Sequence, residues 1–277
     1  LQPRADGRGH DVVERGGYVT DLITDDALRW LDRRDPDRPF ALLVHHKAPH
    51  RSWEPSREHF TLFDDIDIPE PATMRDDHRG RAEVVQAMRM RLMDLDPVVD
   101  LKATVPPGLT EDEEIRWRYQ RYIKDYLRTI ASIDDNVGRL LDRLDDEGIA
   151  DDTIVVYTSD QGFFLGDHGW FDKRMMYEES VAMPMLVRYP RVVAPGSVCD
   201  DLALNVDFAP TFLELAGLDV PDGMQGTSLV PLLEGDRPDG WQESMYYRYW
   251  MHRDGAHHVP AHYGVRTRTH KLIGYYN

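Results

Sequence analysis

Leu22, Ile23, Ala27, Leu28, Trp30 and Leu31 recur at helical spacing through "TDLITDDALRWLDRR". The segment predicts an amphipathic helix with Thr20 or Asp21 as its N-cap. After a Pro/Asp turn at 35–39, "FALLVHH" at 40–46 is a continuous apolar run of strand length, the pattern of a strand buried on both faces. From 52 to 118 the chain is rich in Pro, Asp and Arg and has no clear period until the helix-like "AEVVQAMRMRLMDL". This predicts a long excursion over one face. Residues 111–147 place Tyr122, Tyr126, Ile130, Ile133, Val137, Leu140 and Leu144 at three- and four-residue steps, and Gly148 closes the helix they define. "TIVVYTSD" at 153–160 and "PMLVRYP" at 184–190 read as further buried strands. Strands alternating with helices predict an α/β fold, a mostly parallel sheet flanked by helices. Ligands of such sheets bind beyond the carboxyl ends of the strands. "FALLVHH" runs out toward Lys47 and His50, and "TIVVYTSD" ends at Asp160 and Gln161.

Composition narrows what can bind there. With 277 residues, 41% of them hydrophobic, the chain can bury a large core in one large domain or two smaller ones. A net charge of -17 argues against nucleic acid and anionic membrane surfaces as partners, so an anionic ligand needs a local cluster of cations. No apolar stretch is long enough to span a bilayer. Cys199 is the single cysteine, which excludes an intrachain disulfide and a thiolate metal cluster. The polar opening "LQPRADGRGH", which starts at Leu1, predicts that sequence upstream has been removed.

Asp160 beside Gln161 reads by itself as a turn cap, yet a carboxylate next to an amide carbonyl also supplies two oxygens to a hard divalent cation. Gly162, Gly166 and Gly169 permit turns that bring Asp167, His168 and Lys173 back over that position. Lys47 and Arg51 make a cationic patch around His50, in a loop stiffened by Pro49. The His pairs at 45/46 and 257/258 lack HExxH or Cys/His spacing, which makes zinc the weaker metal. Ser159 lacks the paired glycines of a nucleophile elbow, and there is neither a Walker A loop nor a GxGxxG after a strand. The residues define a metal and anion site without an evident nucleophile.

"TIVVYTSDQGFFLGDHGWFDKRMMYEES", with "HHKAPHRSWEP" before it and "NVDFAPTFLELAG" after it, resembles the type I, formylglycine-dependent sulfatases of the alkaline phosphatase superfamily. Several segments match in the same order along most of the chain. The resemblance implies that Asp160 and Gln161 are calcium ligands, Gln161 standing where other members carry Asn or His. It also implies that Lys173 holds the sulfate group, and that His50 contacts it and protonates the leaving oxygen. With "HHVPAHYGVRTRTHKLI" added, the segments look most like bacterial N-acetylglucosamine-6-sulfatases and related glycan sulfatases. That implies a sulfated saccharide partner, touched also by Lys47, Arg51 and His168, and a periplasmic or secreted location.

In "YRYWMHRDGAHHVPAHYGVRT" the aromatics suit the inside of a hairpin, while the histidines and Arg266 around Gly255 and Pro260 predict an exposed loop that reads the sugar, with His262 and Arg266 as contacts. The family's N-terminal arrangement, a calcium-site Asp-Asp pair followed by a Cys/Ser-x-Pro-Ser-Arg motif, is not visible in this sequence. Cys199 lacks the following Pro and Arg, and Pro55-Ser56-Arg57 follows Glu54.

The expectation is therefore a fragment, silent by itself, whose formylglycine lies in a missing N-terminal half. Residues 1–235 would be the C-terminal portion of the catalytic domain and 236–277 the beginning of a small antiparallel subdomain. The activity implied is calcium-assisted hydrolysis of sulfuric esters on saccharides. A phosphoester or phosphonate hydrolase of the same superfamily, or a non-catalytic relative that binds anionic glycans, are the alternatives.

Overall fold

The computed structural model describes residues 15–253 and 255–276. The expectation attached to "LQPRADGRGH" lies outside them. Contacts divide the chain into two units, residues up to 62 with 125–143, and residues 63–124 with 144 onward.

In the first unit, helix α1 (Val19–Arg33) follows Tyr18, which holds the N-cap position with extended backbone. Thr20 and Asp21 are therefore not the cap. Thr20 and Thr24 are fully buried, so their side chains serve packing, while Asp21 lies in the first turn, where a carboxylate opposes the helix dipole, and accepts a 2.8 Å bond from Asn136 Nδ2. Residues 40–46 alternate between half-buried and exposed and form no ladder among the described residues; Leu43 is 72% exposed. The expected doubly buried strand is absent because burial on both faces needs a sheet around it, and an unpaired segment turns every second side chain to solvent. His46 bonds Thr24 Oγ1 at 2.9 Å.

Helix α2 (Glu111–Asp146) contributes its first turns to the second unit and residues 125–143 to the first. It opens with a capping box, in which the Glu113 carboxylate accepts from the Thr110 N–H at 2.8 Å and Thr110 Oγ1 accepts from the Glu113 N–H at 3.3 Å. At its end Gly148, with φ 68°, lets the chain turn back so that the Ile149 N–H reaches the Leu144 carbonyl.

In the second unit the excursion lies along the start of α2. Tyr119 Oη donates to the Pro69 carbonyl at 2.7 Å, and Arg118 Nη1 to that of Leu95 at 2.8 Å. The helix-like stretch at 82–95 forms only two short turns, Glu83–Ala87 and Leu92–Asp94. Between them Met88 and Met90 are buried with Val85, Phe164, Trp170, Met175 and Val259, and the backbone bonds neighbouring segments instead of its own next turn.

Strand β1 (Val155–Thr158) pairs with β4 (Met185–Arg188), Val155 opposite Arg188. Between them lie a two-residue ladder, β2 (Phe164–Leu165) with β3 (Phe171–Asp172), and the one-turn helix α3 (Glu178–Val181). Strands β5 (Ser244–Tyr249), β6 (His262–Thr267) and β7 (Lys271–Tyr275) form a meander. Helices and strands alternate as an α/β chain requires, but every strand ladder among the described residues is antiparallel. A parallel return is usually made through a crossover helix, and the only α-helix among the described residues between β1 and β4 is the one-turn α3.

Candidate functional site

Strand β1 leads into Ser159–Gly162. Ser159 Oγ donates to the Gln161 carbonyl at 2.9 Å, and the Gly162 N–H donates to the Ser180 carbonyl at 2.9 Å. Asn205 Nδ2 reaches the Asp160 carbonyl at 3.4 Å. These bonds fix the backbone of the turn and leave Asp160 exposed and Gln161 half-buried. A hard cation such as calcium takes roughly six to eight oxygens, so a carboxylate and an amide oxygen fit as part of such a site. Among the described residues no group of three or more His, Cys, Asp or Glu side chains could complete it.

The chain returns through the β2–β3 turn, where Gly166 at φ 101° and Gly169 at φ 71° supply the left-handed backbone. Lys173 follows, between two non-glycine residues that also have positive φ, Asp172 at 72° and Arg174 at 121°. Such conformations persist where surrounding structure over-determines them, and they cluster at functional sites. Lys173 is half-buried, with Nζ 5.8 Å from the Phe163 ring centroid. Burial pushes its ammonium below the usual lysine value, and the Asp172 and Asp160 carboxylates oppose that shift.

Asp172 is 5% exposed; its Oδ1 accepts the Lys173 N–H at 2.7 Å, and its Oδ2 lies 3.0 Å from His257 Nε2. Arg174 Nη2 is 3.0 Å from the same His257 nitrogen and 3.5 Å from Asp172 Oδ2. Burial by itself would raise the Asp172 carboxyl. The hydrogen bond from His257 and the charge of Arg174 outweigh it and hold the group below the usual carboxylate range. Tyr247 Oη anchors the cluster by donating to the Arg174 carbonyl at 3.2 Å. Asp172 and Arg174 escape the sequence reading although they flank Lys173 in "FDKR". Their signal is the partner His257, which lies 83 residues from Arg174.

The other expected residues have surroundings of their own. His168 has both ring nitrogens against carboxylates, Nδ1 at 3.0 Å from Asp76 and Nε2 at 3.5 Å from Glu179. The His168 bond, with the His78 N–H and Arg81, holds Asp76 down at about 2. Arg266 Nη2 pairs with Glu178 at 3.0 Å, and Lys271 meets the same carboxylate. His262, expected on an exposed loop, begins β6 and is fully buried. It stacks with Tyr247 and Tyr249, centroids 5.7 and 5.3 Å away, and its Nδ1 bonds the Pro260 carbonyl at 2.8 Å. The segment's apolar face prevails there, because strand alternation points residue 262 inward with the tyrosines. A side chain with no exposure offers no atom to a sugar. In the first unit Lys47 and His50 are exposed and Arg51 is half-buried. A turn from the Lys47 carbonyl to the His50 N–H, 2.9 Å, and a 2.8 Å contact of His50 Nδ1 with the Arg51 carbonyl shape that loop.

Burial lowers the pKa of His262 from its ordinary 6.5, and that of His46 likewise. Below that value the unfolded chain takes up protons that the fold excludes. The stability from these residues is therefore complete above about pH 6.5 and lost as pH falls below it. Between about pH 7.5 and about pH 5.5 the urea midpoint of His262→Phe is expected to fall less than the parent's. Equal falls would show that His262 already protonates within the fold.

The sulfatase family profile matches residues 2–218, and that of N-sulphoglucosamine sulphohydrolase, C-terminal, matches residues 166–277. The chain belongs to the sulfatase family. It is 41% identical to the N-acetylglucosamine-6-O-sulfatase of Bacteroides thetaiotaomicron, over 97% of this chain and 55% of that protein. It is 27% identical to the N-acetylglucosamine-6-sulfatase of Homo sapiens, over 84% of this chain and 39% of that one. A solved complex of a protein with its substrate D-glucosamine-2-N,6-O-disulfate aligns at a TM-score of 0.92 and 40% identity, covering 96% of this chain and 62% of that one. The chain spans about half the length of the curated relatives it matches.

Proposed function

We propose that the complete protein containing this chain hydrolyses a sulfate ester on a glucosamine-type saccharide. The observation that carries the reading is Lys173, a half-buried ammonium flanked by Asp172 and Arg174, in a chain 41% identical over 97% of its length to an N-acetylglucosamine-6-O-sulfatase. Lys173 binds a sulfate oxygen and offsets the charge that grows there as the sulfur–oxygen bond to the sugar breaks. The family resemblance assigns to His50 the proton of the departing sugar oxygen, with Lys47 and Arg51 adding positive charge to its loop. Asp160 and Gln161 would hold calcium, which when bound polarises the sulfate. The acceptor of the sulfuryl group is, by the family resemblance, a formylglycine upstream of this chain. Asp172, Arg174 and His257 replace His262 as saccharide contacts, since a carboxylate, a guanidinium and an imidazole can pair with ring hydroxyls from both sides. Arg266 then braces β6 through Glu178.

On this reading residues 1–235 are part of the catalytic domain, and 236–277, with the β5–β7 sheet, begin the smaller subdomain. A periplasmic or secreted location goes with it. No helix among the described residues is long and apolar enough to cross a membrane.

The test uses the complete protein, with free sulfate measured from 6-O-sulfated N-acetylglucosamine and free phosphate from an aryl phosphate. Sulfate release is expected to be the faster by a wide margin. Preferential phosphate release would instead establish a phosphoester hydrolase, and release of neither a non-catalytic relative.

A further inference from the structure

Arg89 lies between the two parts of the Asp172–His257 pair. Its N–H donates to the His257 carbonyl at 2.8 Å on one side, and on the other the Met90 carbonyl accepts the Phe171 N–H at 2.8 Å. The isolated antiparallel bridge of Arg91 to Trp170 sets the register, which brings Arg89 opposite Asp172. Met88 and Met90 on either side of it are 3% and 0% exposed while Arg89 is exposed, so its side chain leaves the core that they share, from a backbone bonded to His257. The Arg89 side chain is exposed and makes no ion pair or side-chain hydrogen bond among the described residues. Elsewhere this acidic chain pairs its arginines freely, as at Arg75, Arg81, Arg139 and Arg237. A solvated surface arginine is the bland account. It gives no reason for a cation without an ion pair among the described residues on a segment whose backbone bonds both His257 and Phe171, next to the Asp172–Arg174 turn.

We propose that Arg89 is a second anion contact of the saccharide site, taking a sulfate or carboxylate of the substrate other than the sulfate held by Lys173. This rests on the sulfatase reading above and adds that the preferred saccharide carries two negative groups. A planar guanidinium meets either group through two parallel N–H bonds.

The experiment compares the complete protein with its Arg89→Gln and Arg89→Lys variants on three substrates. These are 6-O-sulfated N-acetylglucosamine, 6-O-sulfated glucosamine with a second sulfate on nitrogen, and the 6-O-sulfated sugar linked to a uronic acid. Arg89→Gln is expected to raise KM about tenfold on one doubly charged substrate with kcat unchanged, to leave the singly charged one alone, and to be partly rescued by Arg89→Lys. Whichever doubly charged substrate responds identifies the group as sulfate or carboxylate. Equal effects on all three substrates, or none on any, would overturn the assignment. If the parent releases no sulfate at all, the sulfatase reading falls. Arg89 is then judged by calorimetric Kd values for the two doubly charged sugars: about tenfold weaker binding to Arg89→Gln sustains the anion contact, and unchanged binding ends it.

Discussion

Replacing Lys173 by alanine is expected to lower sulfate release by the complete protein about a thousandfold or more, mostly in kcat, while the thermal midpoint stays close to the parent's. The ammonium is half-buried, where a charge acts through fewer intervening waters than at the surface, and burial already disfavours its charged form. Removing it relieves that burial, so the fold has little to lose. On the proposed function the reaction loses the cation that would hold the sulfate. Lys173→Arg is not expected to restore the rate, because a planar fork cannot stand in for a compact ammonium among Phe163, Asp160 and Asp172. Turnover of Lys173→Ala within a few-fold of the parent would remove Lys173 from the chemistry.

Gly162→Ala is expected to cost about 3 kcal/mol or more in urea-measured stability. An added Cβ would lie 2.2 Å from the Glu179 carbonyl oxygen, 2.8 Å from that of Ala182 and 2.9 Å from the Ser180 carbonyl carbon. All three are backbone atoms, so no flexible side chain can swing aside. Either the bond from the Gly162 N–H to Ser180 breaks, or the turn moves and carries Asp160 and Gln161 with it. Stability within 1 kcal/mol of the parent, on the order of an ordinary surface substitution, would show that this turn yields.

Where local pattern and tertiary demand agreed, the sequence was a good guide. The α2 periodicity, the turn residues after β1 and the β5–β6 hairpin all emerge close to where the hydrophobic spacing puts them. Disagreement arose where apolar spacing alone had to choose a partner. "FALLVHH" carries the composition of a buried strand, yet composition says nothing about whether a neighbour pairs with it. In 82–95 the helical spacing of Val85, Met88 and Leu92 coexists with the two-residue spacing of Met88 and Met90, and packing around Trp170 selects the latter. At the candidate site Lys173 could be read because its motif is local. Asp172, Arg174 and Arg89 could not, since each acquires its meaning from His257 far along the chain. His262 was misplaced for a related reason: a histidine among tyrosines looks polar in a string of letters and serves as an aromatic in a sheet.

The extended stretch at 88–91 laces residues 170–171 to residue 257 by main-chain bonds alone. Its opening should therefore be a single event in hydrogen exchange. The amides of Arg89 and Phe171, distant in sequence and one of them on an exposed residue, are expected to exchange at a common slow rate, because neither can be released without parting the same seam. The seam also joins segments more than eighty residues apart, and such contacts must await the closure of long loops. In refolding, those two amides would gain protection together and after the α2 helix, so the platform beneath Lys173 is among the last parts of this chain to form.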